Sequence, residues 1–222
     1  MKGKPGQKPS AYNLVNQNIH RSIFSLALPA MMSFLFYNAY LIIDAYWIGL
    51  LGLHALAGLS ACSFLVWAFY SVSDLAVTGA GTLVSQGIGA KRETEARQAA
   101  GQGIILVLVL SAALVIFGFA SEKWIFNLMG LEPAAASLAS SYFTTLLYGL
   151  IFIFLFEVLQ RILHSIGDTK TPMVILIISL VINAFIDPFL IFGWACFPET
   201  GIAGAAWATV ISQFIAAALI IL

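Results

Sequence analysis

The chain of 222 residues is 61% hydrophobic and 9% charged, with a mean hydropathy of +0.97, whereas a soluble domain carries roughly 45–50% apolar and 25% charged residues. A soluble globular fold is excluded. Ten basic and ten acidic side chains cancel, which leaves no cationic surplus for nucleic acid. Cys62 and Cys196 stand far apart without C-x-x-C or Cys/His spacing, so neither a disulfide framework nor a zinc or haem site is indicated.

In chain order, residues 1–22 form a polar tail with Lys2, Lys4, Lys8 and Arg21, and residues 23–222 form a six-helix membrane lobe. Crossing a hydrocarbon core of about 30 Å takes about 20 apolar residues, and uncharged stretches of that order recur along the chain. Helices are expected near 23–49, 54–77, 101–120, 137–160, 172–194 and 203–222. Gly49-Leu50-Leu51-Gly52 divides the first two as a tight turn. The first apolar run is too long for a signal peptide and lacks a small-residue cleavage site, so it is expected to remain in the mature protein. Segment 91–103, with Glu93 and Arg97 one turn apart, reads as a short cytoplasmic surface helix. In the GDTKTP segment, Thr171 is the expected N-cap of the fifth helix and Pro172 its first residue. Lys2, Lys4, Lys8, Arg21, Lys91, Arg92, Arg97, Arg161 and Lys170 fall on one side of this arrangement and Lys123 alone on the other. By the positive-inside bias both termini are cytoplasmic, in an all-α, multi-pass plasma (inner) membrane protein whose immediate partner is the lipid bilayer.

Carboxylates at membrane depth are costly and mark function by default. Asp74 and Glu157 fall near the inner ends of helices 2 and 4, with Arg161, four residues on, the expected partner of Glu157, so both are read as structural. Asp44 precedes the Gly49–Gly52 turn by five to eight residues and Asp187 precedes the segment 193–196 by six to nine. Each therefore lies roughly 8–14 Å below the outer end of its helix. Thr209, counted from Gly201 or Gly204, reaches the same level. Asn183 shares a helix face with Asp187, beside Pro188, which cannot donate to the carbonyl of Ala184 and should bend the helix. Tyr40, one turn before Asp44, is placed to donate its hydroxyl to that carboxylate. These oxygens suit a proton or a small hard cation such as Na⁺ held at Asp44 and Asp187. Cys62 reads as a small buried hydrophobe, and Trp47, Trp124 and Trp194 as interface anchors. The isolated His20, His54 and His164 make no metal or nucleophile constellation, so the chain is read as a non-enzyme without cofactor.

The segments LALPAMMSFLFYNAYLIIDAYWIGLLG (26–52), LVSQGIGAKR (83–92), GDTKTP (167–172) and NAFIDPFLIFG…GIAGAAWAT (183–209) together resemble the amino-terminal half of multidrug and toxic compound extrusion (MATE) transporters. The resemblance implies one six-helix lobe of a twelve-helix antiporter that exports small, often cationic organic compounds against H⁺ or Na⁺. Asp44, Asn183, Asp187 and Thr209 match the family's amino-lobe carboxylate pocket. Because the chain stops at Leu222 inside an apolar run, it is expected to be truncated, with a second lobe or a second copy as the missing partner. Two other readings stand beside this one. A lipid-linked oligosaccharide flippase of the same superfamily would call for cationic residues at mid-span, and a non-transporting scaffold would leave the polar layer unexplained.

Overall fold

The computed structural model of the chain describes residues 19–195 and 197–222. Lys2, Lys4, Lys8, the side chains of His20 and Arg21, and Cys196 lie outside the described residues. Six helices make up the described fold: α1 (Ile19–Gly49), α2 (Leu53–Gly89), α3 (Glu93–Leu128), α4 (Pro133–Ser165), α5 (Lys170–Phe192) and α6 (Ile202–Ile221). All six are long and apolar enough to span a membrane. They are longer than composition alone implied. α2, α3 and α4 run 37, 36 and 33 residues, about 50–55 Å at 1.5 Å per residue. Against the expected spans, α2 gains its extra length at the Gly89 end and α3 at both ends.

The surface helix expected over 91–103 is not a separate element, since α3 continues unbroken from Glu93 to Leu128. Gly103 accounts for the continuity. A Cβ there would collide with the Cβ of Ala80, so the glycine lets α2 and α3 close against each other, and this packing offsets its propensity cost of about 1 kcal/mol. The ion pair of this segment is Arg92–Glu95 at 3.5 Å, not the expected Glu93–Arg97. Lys91, with a φ of 61°, makes the turn that allows it. The turn between α1 and α2 depends on Gly52, whose φ of 110° is costly for any residue with a Cβ.

α5 begins two residues earlier than expected, after Thr169 instead of Thr171. The capping group is Asp168, whose carboxylate accepts the Thr171 backbone N–H at 3.0 Å and its hydroxyl at 2.7 Å. A carboxylate satisfies the free N–H groups of a first turn and complements the helix dipole better than a hydroxyl does. Pro172 then sits in the first turn, and α5 runs through Pro188 without interruption.

α4 is the hub, packed along α2, α3 and α6, while α1 lies on α5 and α5 on α6. The bundle is thus two three-helix sets, α2–α3–α4 and α1–α5–α6, joined along the α4–α6 seam. Gly149 on α4 opens that seam, because a Cβ at this position would overlap both methyls of Val210 on α6. Phe143, Leu147 and Phe154 fill the main core with Val107 and Ile202. Cys62 is fully buried as expected, and its thiol also donates to the Ala139 carbonyl at 3.0 Å. Outward surfaces remain apolar: Phe24, Met31, Phe34, Ile116 and Trp124 are all more than half exposed, as contact with lipid or another apolar surface requires. Trp47 is instead half-buried, edge-on to Phe192 and Trp194 at the C-terminal end of α5.

Candidate functional site

Between α1, α4, α5 and α6 lies the polar layer. Asn183 and Asp187 are fully buried and Asp44 is 5% exposed. Asn183 Nδ2 donates to Asp187 Oδ1 at 3.4 Å, across one turn of α5. The expected Tyr40–Asp44 bond does not form. The Tyr40 hydroxyl instead meets the Ser212 hydroxyl on α6 at 2.9 Å. Asp44 is held from α4, where the Tyr142 hydroxyl donates to its Oδ2 at 3.1 Å. The reason is geometric: side chains one turn apart on α1 run parallel to each other, whereas α4 and α6 face α1 across the gap and supply groups pointing towards it. Asp44 and Asp187 lie within electrostatic reach of each other and of Tyr40. Thr209 stands beside Tyr40, though its Oγ1 makes no hydrogen bond of sound geometry.

Buried oxygens without partners distinguish this layer from ordinary interhelical glue. Asp44 Oδ1, Asn183 Oδ1, Asp187 Oδ2, Thr209 Oγ1 and Gln213 Oε1 are all buried and have no hydrogen-bond partner among the described residues. An unpaired buried polar atom costs roughly 1–3 kcal/mol, and a bare carboxylate costs more. Every unpaired atom in this set is an oxygen acceptor or a hydroxyl, so a proton or a hard cation would satisfy it. Tyr40, Asp44, Tyr142, Thr209 and Gln213 border a cavity of about 80 Å³.

Helix-face spacing could have located more of this layer. Ser179 lies four residues before Asn183, and Ser212 and Gln213 lie three and four after Thr209, so the sites extend along one face of α5 and one of α6. Tyr142 left no comparable signal, because its carboxylate partner is on another helix. Glu122 was also missed. The longer α3 carries it inside the bundle, where it accepts from Ser140 at 3.2 Å and Thr144 at 2.6 Å. The expected Arg161–Glu157 pair is replaced: Arg161 reaches Asp74 on α2 at 3.3 Å, and Glu157 accepts from Ser73 at 3.3 Å.

If Tyr142 holds Asp44, Tyr142→Phe removes the one side-chain donor to that carboxylate among the described residues and should cost about 1 kcal/mol, a fall of roughly 2–4 °C in a thermal melt of a chain this size. Tyr148→Phe, at an exposed position of the same helix, should leave the melt unchanged. Equal melts for both variants would show that α1 packing alone positions Asp44.

A protein-family model for MatE matches residues 29–189, well over half of the chain. The chain belongs to the MatE family. Among curated relatives of this family member, the probable multidrug resistance protein YoeA of Bacillus subtilis is 34% identical over 162 residues, spanning 73% of this chain and 35% of the relative. The probable multidrug resistance protein NorM of Thermotoga maritima is 29% identical over 91% of this chain and 44% of its own length. A protein named FAD transporter from Shewanella oneidensis is 30% identical over 94% of this chain and 46% of its own. The chain therefore spans less than half the length of each of these relatives. An outward-facing multidrug resistance MATE family transporter superposes with a TM-score of 0.88 over 96% of this chain and 47% of its own, at 24% identity. A MOP superfamily transporter from Pyrococcus furiosus does so with the same TM-score, at 24% identity over 96% of this chain and 46% of its own. The likeness gives the fold of a MATE lobe, and this MatE member is a multi-pass integral membrane protein of the plasma membrane.

Proposed function

We propose that this MatE chain is the amino-terminal lobe of a cation-coupled antiporter that exports small, often cationic organic compounds, working with a second lobe or a second copy. The carrying observation is the pair of buried carboxylates, Asp44 and Asp187, each hydrogen-bonded through one oxygen with the other unpaired. A site kept only for structure would pair both oxygens of each carboxylate. Half-satisfied pairs on separate helices can exist in two states, empty or occupied by H⁺ or Na⁺. Occupancy removes the repulsion between α1 and α5 and lets these helices repack on α6, and the reverse change accompanies cation release. Relatives named multidrug resistance proteins support a small organic cargo, and the relative named FAD transporter shows that family members differ in cargo. The basic residues at the α2–α3 and α4–α5 connections support a cytoplasmic placement of that end and of both termini.

The test uses the complete protein in proteoliposomes and a fluorescent organic cation. An imposed pH gradient or Na⁺ gradient should drive counter-movement of the dye, and collapse of the effective gradient should stop it. Dye movement indifferent to both gradients would overturn cation coupling.

A further inference from the structure

A larger cavity, about 450 Å³, opens towards the end of the bundle that carries Lys91, Arg92 and Lys170. Tyr37, Tyr70, Glu157, Gln160, His164 and Gln213 are among the residues that border it. Four of its bordering residues, Tyr37, Tyr70, Ile153 and Gln213, also border the small cavity at Asp44. The two spaces thus lie on opposite sides of one shared wall, and both exceed the ~30 Å³ share of a liquid water.

Polar groups continue across that wall. Glu157 is within electrostatic reach of Tyr37 and Tyr70, Tyr70 of Tyr40, and Tyr40 of Asp44 and Asp187. Gln213 Oε1 in the wall and His164 Nε2 at the wider end are buried and have no partner among the described residues, as atoms facing water would be. Glu157 is faced by Ser73 and Asp74 from α2, Tyr37 from α1, Tyr70 from α2, and Arg161 and His164 on its own helix. Arg161 is drawn away to Asp74, which leaves Glu157 with a hydroxyl partner and no direct ion pair among the described residues.

We propose that this cavity is a hydrated access path, built within one lobe, by which the coupling cation passes between the basic end of the bundle and the Asp44–Asp187 layer. Glu157 is its carboxylate station, and Tyr37, Tyr70 and Gln213 form its constriction. The proposal rests on the cation-coupling reading above. It adds that access to the layer from this end is lined by α1, α2, α4, α5 and α6 of this one lobe.

The complete protein, with Cys62 and Cys196 replaced by alanine, tests this in inside-out vesicles exposed to a charged, membrane-impermeant methanethiosulfonate. Gln213→Cys and Ile153→Cys should be modified within about tenfold of the rate at exposed Glu95→Cys, and buried Val107→Cys about a hundredfold more slowly. Glu157→Gln should slow gradient-driven export about tenfold without changing the half-saturating dye concentration, because the station lies on the ion's route and not the dye's. Size-exclusion profiles matching the parent confirm that each variant is folded. Modification of both wall cysteines as slow as Val107→Cys, or export by Glu157→Gln at the parent rate, overturns the access path. Parent-rate export by Asp187→Asn would instead overturn the coupling reading, so the two failures are distinguishable.

Discussion

In the complete protein, Asp187→Asn is expected to abolish gradient-driven export while leaving membrane insertion and thermal stability close to those of the parent. The amide preserves the size of the carboxylate and can still accept from Asn183 through its oxygen, but it cannot alternate between charged and neutral forms. Asp187 is fully buried, and among the described residues the one hydrogen bond to its carboxylate is the long one from Asn183 at 3.4 Å. A purely structural role would therefore lose little: the bond lies within α5 and the amide oxygen can retain it, so the melt should move by no more than about a degree or two. Export and stability should be measured on the same purified variant, with Glu199→Gln, in the exposed loop before α6, as a reference of unchanged activity. Parent-like export by Asp187→Asn would show the carboxylate to be structural.

The largest stability loss is expected from Gly204→Val. A Cβ at this first-turn position of α6 would lie 2.5 Å from the carbonyl carbon and oxygen of Leu190 and 2.6 Å from Thr200 Oγ1. Backbone cannot yield as a flexible side-chain end can. That same Leu190 carbonyl accepts both the backbone N–H of Thr200 at 3.1 Å and its hydroxyl at 2.6 Å, and Gly201 N–H donates to the neighbouring Ile191 carbonyl at 3.1 Å. The substitution must break this anchor or lift α6 from α5. Overpacking costs typically 1–3 kcal/mol, and lost anchor bonds add to it, so the thermal midpoint should fall by about 6–12 °C. Thr209, about one and a half turns on, should shift from the layer, and export should weaken with stability. Gly101→Ala, where a Cβ meets nothing within 4 Å, should be neutral or gain up to about 1 kcal/mol. A Gly204→Val melt equal to that of Gly101→Ala would show that α6 docks on α5 without this close approach.

The amino-acid sequence by itself determined the membrane class, the six spans, the end of the bundle that carries most of the lysines and arginines, and the common level of Asp44, Asp187 and Thr209 along their helices. Each of these follows from quantities that run along one chain: apolar length, the position of glycine turns, and a rise of about 1.5 Å per residue. The same rule, carried further, reaches Ser179, Ser212 and Gln213, because residues four apart share a helix face. Only the tertiary structure decided partners. Spacing on one helix paired Tyr40 with Asp44 and Arg161 with Glu157, but the bonds formed are Tyr142–Asp44, Tyr40–Ser212 and Arg161–Asp74. Parallel side chains on one helix compete poorly with groups presented face-on by a neighbour, and which neighbour that is depends on close approaches such as Gly149 on Val210 and Gly103 on Ala80. Helix length was decided in the same way. Glu122 is carried into the bundle because α3 continues through Gly101 and Gly103 and past Ser121, where packing against α2 and α4 outweighs local propensity and charge.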